Sequence, residues 1–128
     1  MDRQQASSLL ACAISLRVDI YKLVQPEDSE ETPDEIKPAS QIFKFKDVIS
    51  SVEFRPDGNL LLVGESSGRV QLFETQNKYV LRTYEEHQGR INNLCFSSNN
   101  RNFLSVANET SVRLWDIQDS SAHSVASI

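Results

Sequence analysis

The chain has 128 residues, 39% of them hydrophobic and 24% charged, with few Gly and Pro and a net charge of −5. This is the composition of an ordinary soluble protein, and no run approaches the roughly 18 apolar residues of a membrane helix. The acidity is local: Glu27, Asp28, Glu30, Glu31, Asp34 and Glu35 face only Lys37, so the neutral remainder lacks the clustered basic footprint of a nucleic-acid binder.

In chain order, residues 8–15 are apolar but short and preceded only by Arg3, which reads as a buried strand rather than a targeting segment. Residues 24–40 form an acidic, flexible insertion. Within it Thr32-Pro33-Asp34-Glu35 offers a hydroxyl followed by carboxylates, a candidate phosphorylation or docking segment. Residues 50–55 alternate and close in the turn Arg55-Pro56-Asp57-Gly58-Asn59, where Pro presets φ and Gly tolerates a positive value. Residues 60–64 are apolar throughout, as in a strand covered on both faces. After a turn at 65–68, residues 69–74 place Val70 and Leu72 on one face and Arg69, Gln71 and Phe73 on the other. Residues 78–85, of mixed polarity, suit an outer edge strand. The plan then recurs, with strands at 91–97, 102–107 and 111–117 and turns at 98–101 and 108–110, before a Ser-rich tail with room for part of another outer strand.

Residues 48–75 align without a gap on 90–117: Ile49 falls on Ile91, Val52 on Leu94, Phe54 on Phe96, Leu62 on Leu104, Val70 on Val112, Leu72 on Leu114 and Phe73 on Trp115. Four short strands per period of about 40–45 residues, ending in Trp-Asp, mark a β-propeller blade. Before them, Val18, Ile20 and Tyr21 match Val70, Leu72 and Phe73, and at the same offset Leu9 and Leu10 match Leu61 and Leu62. The expected fold is all-β: half a blade plus two four-stranded antiparallel blades of an incomplete ring. Its units are a partial blade at 1–23, the insertion at 24–40, blades at 41–77 and 78–119, and the tail at 120–128. Propellers typically use about four to eight blades. With faces and edges unpaired, the isolated chain is expected to be marginal, oligomeric or aggregation-prone.

No catalytic, cofactor or metal site is expected. Cys12 and Cys95 sit in apolar strand-like runs and read as buried free thiols. With His87 and His123 they do not make a metal-ligand set. Gly58, Gly64, Gly68 and Gly89 are turn singletons rather than a phosphate loop, and no nucleophile stands in an activating context. Lys44, Lys46, Arg55 and Arg69 read as solvated charges rather than contacts to RNA phosphate.

Residues 86–116 resemble a WD-repeat, with His87 ahead of the first strand and Trp115-Asp116 closing the third. The resemblance implies a structural hydrogen-bonded set of His87, Ser105, Glu109 and Trp115, with Asp116 completing the signature. Glu109 stands where the family uses Asp, and Glu86 where it uses Gly. In the preceding unit Phe45, Ser67 and Phe73-Glu74 occupy the corresponding positions, so the polar set is absent there. The run Phe45-Lys46-Asp47, then Phe54-Arg55, Asp57-Gly58 and Leu60-Leu61, resembles WD-repeat proteins of the small-subunit processome, as does the strand Arg17-Val18-Asp19-Ile20-Tyr21. That likeness implies a non-catalytic scaffold of the nucleus and nucleolus, acting in pre-rRNA transcription and processing toward 18S rRNA. Its partners would be other proteins of a large assembly and, indirectly, pre-rRNA and U3 snoRNA, with no membrane and no small-molecule substrate. The alternative is a WD-repeat adaptor of another pathway, such as a ubiquitin ligase or trafficking, in the cytoplasm.

Overall fold

A computed structural model describes residues 9–22, 38–43, 45–109 and 111–128. Most of the acidic insertion, with its Thr32-Pro33 segment, and Lys44 lie outside them. The described residues form strands and turns only, in three antiparallel sheets. The first contains β1 (Leu9–Ile14), β2 (Arg17–Lys22) and β3 (Ser40–Ile42), in that order. The second contains β4 (Ile49–Phe54), β5 (Leu60–Glu65), β6 (Val70–Glu74) and β7 (Val80–Tyr84). The third contains β8 (Ile91–Phe96), β9 (Asn102–Ala107), β10 (Val112–Asp116) and β11 (Ala126–Ser127). Each sheet is a meander, with tight turns at β1–β2, β4–β5, β5–β6, β8–β9 and β9–β10, and together they make the partial propeller expected from the repeat.

The sheets stack face to face, and period-2 alternation decides which residues meet. Leu60, Leu62, Val70, Leu72 and Tyr84 of the second sheet share one core with Leu94, Phe96, Phe103 and Trp115 of the third. The opposite face of the second sheet, with Leu61, Val63 and Phe73, shares another core with Val18, Ile20 and Ile42 of the first. Being sandwiched, β5 is buried at all its positions, which is why its sequence is apolar throughout. In contrast β8 and β9 alternate, because only one of their faces is covered by a described sheet.

Sheets and sequence units are offset. β7 opens the unit 78–119 yet hydrogen-bonds to β6, so it is the outer strand of the second sheet, as its mixed polarity requires. The tail supplies the corresponding strand to the third sheet, where β11 pairs with β10. The innermost strands β4 and β8 bulge at the same place, with register shifts at Ile49/Ser51 and Ile91/Asn93. The extra residue Ser50 donates its hydroxyl to the Ile91 carbonyl at 2.6 Å, tying adjacent sheets together. The turn at Gly58 has its counterpart at Asn100, and both residues have positive φ, at 77° and 60°. Asn is among the few side-chain-bearing residues that tolerate that region.

Register and burial correct two expectations on β1 and the cysteines. In β1, Ala11 pairs with Ile20, whereas Leu62 pairs with Leu72, so Ala11 rather than Leu10 corresponds to Leu62. The turn between β1 and β2 is one residue shorter than that between β5 and β6, and a one-residue slip moves every side chain to the other face. Leu10 therefore points away from the second sheet and is exposed. The cysteines are free, but Cys12 is only half-buried and Cys95 is exposed. Cys95 alternates with the buried Leu94 and Phe96 and so falls on the uncovered face of the third sheet.

Gly64 lies within β5 rather than in a turn, and close approach of the second and third sheets depends on it. A Cβ there would lie 2.5 Å from Ile91 Cγ2 and 2.7 Å from Ile91 Cβ, and Ile91 is wholly buried. Gly64→Ala is expected to cost about 1–3 kcal/mol through overpacking. Urea denaturation reads this, and the penalty should shrink in an Ile91→Ala background. An unchanged midpoint would mean that the sheets part freely. At the equivalent place the third sheet carries Val106, which meets no described sheet.

Candidate functional site

The β7–β8 loop brings His87 over the third sheet, β9 supplies Ser105, β10 supplies Trp115, and the β9–β10 turn supplies Glu109. Ser105 and Trp115 are fully buried, and His87 nearly so. The Trp115 indole N–H donates to Ser105 Oγ at 2.8 Å, and Ser105 Oγ lies 2.6 Å from His87 Nε2. His87 Nδ1 lies 3.1 Å from Ser111 Oγ and 3.4 Å from Glu109 Oε2. Satisfying every donor assigns the ring proton to Nδ1, so that the Ser105 hydroxyl donates to Nε2. The Trp115 ring stacks on Phe103 at 6.0 Å and meets Tyr84 of the second sheet at 4.8 Å. The polar chain thus runs from an intersheet aromatic core to the loop 86–89.

Sequence reasoning missed Ser111. It falls two residues beyond Glu109, immediately before β10, where a hydroxyl reaches the same imidazole nitrogen. Glu109 also accepts from the backbone N–H groups of Gln88 and Gly89, each at 2.9 Å. Burial opposes its ionisation, but these two donors, with Ser111 and His87, outweigh it and hold the carboxyl down at about 2, against an ordinary 4.5. A depressed folded-state value gives stability that is complete above the unfolded value and is lost as pH falls toward the folded one. Chemical denaturation between pH 6 and pH 2 (chosen to bracket about two units either side of the usual carboxylate range) should therefore show a loss on acidification that Glu109→Gln reduces. An identical pH slope in the variant would exclude Glu109 as a source.

Asp116 stands apart from the buried set. It forms an ion pair with Arg101 at 2.8 Å and accepts from Gln118 N–H, closing the turn after β10. Arg101 beside it lowers its pKa.

In the second sheet the same positions are apolar. Phe45, Val63 and Phe73 stand where His87, Ser105 and Trp115 stand in the third, all within one core. The Phe45 and Phe73 rings meet edge-on at 5.5 Å. The polar function moves to a different residue: Glu65, wholly buried, accepts from Arg69 at 2.6 and 3.0 Å, from Gln71 at 3.3 Å and from Asp47 N–H at 3.2 Å. The first sheet has an analogous group, with buried Asp19 accepting from Arg17 and Gln41, each at 3.0 Å. Arg69 and Arg55 are therefore not solvated charges. Arg55 pairs with Asp57 at 2.7 Å and donates to the Asn100 carbonyl across the sheet boundary.

Glu86 organises the tail. It pairs with Arg113 at 2.9 Å and accepts from the Ser124 hydroxyl and backbone N–H at 2.7 and 2.9 Å. This explains how a Ser-rich tail is held against a sheet.

A cavity of about 260 Å³ opens at the turn-bearing rim between the second and third sheets. Lys46, Asp47, Ser67, Gly68, Arg69, Glu85 and His87 line it. Gly68, with φ of 100°, lets its turn approach the His87 carbonyl, since a Cβ would lie 2.6 Å from that oxygen. Ser105, His87 and Glu109 have the connectivity of a nucleophilic triad. Ser105 is wholly buried, however, does not line the cavity, and already accepts from Trp115, so no substrate carbonyl reaches it in this arrangement. Among the described residues no group of three or more His, Cys, Asp or Glu is placed to hold a metal.

Residues 39–99, from the edge of β3 to beyond β8, match the family model described as the anaphase-promoting complex subunit 4 WD40 domain. The chain is 36% identical over 77 residues to U3 small nucleolar RNA-associated protein 15 of Schizosaccharomyces pombe, covering 59% of this chain and 16% of that protein. To the Gallus gallus homolog of that protein it is 29% identical over 107 residues, covering 84% of this chain and 19% of the relative. To human WD repeat-containing protein 36 it is 30% identical over 84 residues, covering 59% of this chain and 9% of that protein. The chain thus spans less than a fifth of the length of these relatives. The family match runs through β4–β8, strands that stack here as blade-like sheets, and the chain is thus similar to WD40-repeat proteins in sequence and to a partial β-propeller in fold.

Proposed function

We propose that the chain acts as a non-catalytic WD-repeat scaffold in ribosome biogenesis, within an assembly associated with U3 small nucleolar RNA. The observation that carries this reading is the 36% identity to the Schizosaccharomyces pombe U3 small nucleolar RNA-associated protein 15. The geometry fits a scaffold because the triad-like constellation of Ser105, His87 and Glu109 is turned inward, each donor meeting an internal acceptor. In this reading His87, Ser105, Glu109 and Trp115 order the third sheet, and Asp116 closes its turn. The partners are other proteins of a large assembly, the pre-rRNA is reached through them, and the site of action is the nucleolus. Nucleolar localisation of the tagged chain, with U3 snoRNA enriched on its purification, tests the reading. A cytoplasmic protein with no U3 enrichment would overturn it. The match to an anaphase-promoting complex WD40 domain favours, as the second reading, an adaptor in a ubiquitin-ligase assembly. Co-purification with ligase subunits instead of U3 snoRNA would select it.

A further inference from the structure

The second and third sheets turn in the same way where β5 meets β6 and where β9 meets β10. Glu65 N–H donates to the Arg69 carbonyl at 2.9 Å, as Ala107 N–H does to the Ser111 carbonyl at 3.2 Å. Ser66 N–H donates to the Val48 carbonyl and Asn108 N–H to the Arg90 carbonyl, both at 2.9 Å. Ser67 and Glu109 therefore hold the same place in the two turns. Glu109 reaches the loop that precedes its sheet, accepting from the Gln88 and Gly89 N–H groups, each at 2.9 Å. Against the opposing effect of burial, these donors, with Ser111 and His87, keep its carboxyl at about 2. By the same alignment Lys46 and Asp47 stand where Gln88 and Gly89 stand, and they line the rim cavity together with Ser67. The second sheet thus keeps the donors of an anion seat but has a neutral hydroxyl in place of the anion. Ser67 is exposed, and among the described residues its hydroxyl has no hydrogen-bond partner.

We propose that Ser67 is a phosphorylation site whose phosphoryl group takes the seat over Lys46 and Asp47 that the Glu109 carboxylate takes over Gln88 and Gly89. The lengths match, because the terminal oxygens of a phosphorylated serine lie as many bonds from Cα as those of glutamate. The donors are open to it. Lys46 N–H has no acceptor among the described residues, and Asp47 N–H is held only by Glu65, at 3.2 Å. The Lys46 ammonium adds a positive charge where the third sheet has the neutral Gln88. The carboxylates of Asp47 and Glu85 line the same cavity and oppose a further anion. Glu85 is exposed, so solvent and salt screen its repulsion, whereas the backbone donors are fixed by the loop. A protein kinase transfers the group from a nucleoside triphosphate. The Ser67 Oγ–phosphorus bond forms, the bond from the γ-phosphorus to the β–γ bridging oxygen breaks, the nucleoside diphosphate leaves, and the hydroxyl proton passes to a base on the kinase. The β5–β6 turn is then pinned to the loop before β4 as the β9–β10 turn is pinned to the loop before β8.

The chain carrying phosphoserine incorporated at position 67 during synthesis, measured beside the unmodified chain, tests the seat. Hydrogen exchange of the Lys46 and Asp47 amides should slow by about tenfold or more, the effect of one charge-assisted hydrogen bond. The melting temperature by circular dichroism should rise by about 3–6 °C. Ser67→Glu should reproduce both effects more weakly, since it copies the length of Glu109 with less charge. Ser67→Ala should change neither, because the hydroxyl it removes has no partner. Lys46→Ala should leave the unmodified chain as it is and reduce the gain from phosphate. If phosphorylation leaves the exchange of those two amides unaltered, or the phosphorylated chain melts at or below the unmodified one, repulsion from Asp47 and Glu85 prevails and the seat is overturned. Mass spectrometry of the protein isolated from its own cells, with phosphatases inhibited, should place phosphate on Ser67. Phosphate on the adjacent Ser66 alone, or on neither residue, would overturn the assignment of the site.

Discussion

Trp115→Ala should lower the unfolding free energy by about 3–5 kcal/mol, the usual cost of removing a large buried aromatic side chain. Trp115 is fully buried between the second and third sheets, against Tyr84 and Phe103. Its loss empties the middle of the larger core and also removes the donor to Ser105 Oγ. For a protein of marginal stability, this is a large fraction of the total. Trp115→Phe separates the two effects, since it keeps most of the ring but drops the N–H; it should cost about 1 kcal/mol for the lost hydrogen bond plus a smaller packing term. Circular dichroism in guanidinium is the suitable measurement, because the chain has 1 Trp and its substitution removes the fluorescence signal. If alanine and phenylalanine cost the same, the indole ring is not a packing element between the sheets.

Arg69→Met should be comparably damaging, for an electrostatic reason. Glu65 has a side chain 0% exposed and holds Arg69 at 2.6 Å. Removing one partner of a buried pair typically costs about 3–5 kcal/mol, because the remaining charge is left uncompensated. Gln71 and the Asp47 N–H stay within reach of Glu65, but as neutral donors they replace only part of the interaction. Adding Glu65→Gln removes the stranded charge, so the double variant should be more stable than Arg69→Met alone. Denaturation of the two single variants and the double variant completes the cycle. Additive costs would show that Glu65 and Arg69 are not coupled.

Much of the second and third sheets was legible in the sequence. The turn Arg55-Pro56-Asp57-Gly58-Asn59 and the alternation of Val70, Leu72 and Phe73 are local signals, and the strands follow them. In the candidate site, His87, Ser105, Glu109 and Trp115 come together along one polar chain. Asp116 does not, because it follows Trp115 on the strand and so points to the other face. Ser111 was missed because its contribution depends on how far the Glu109 turn reaches toward His87, which residue types alone do not reveal. The Glu65 group escaped for a similar reason. A Glu ending an apolar strand reads as a turn residue until Arg69 and Gln71 fold back over it.

The sequence by itself determined the repeat, the strands, the turns and the two-faced pattern of each strand, since these depend on backbone preference and on neighbours a few residues away. Only the tertiary structure decided which face is covered. Identical patterns are buried at Leu62 and exposed at Leu104, because among the described residues one has a sheet stacked on it and the other does not. The same cause exposes Cys95 and leaves Val106 without the crowding that demands Gly64. A turn shortened by one residue likewise moved Leu10 to the outer face. Burial and register are set by partners distant in the chain, and no local pattern encodes whether such a partner is present.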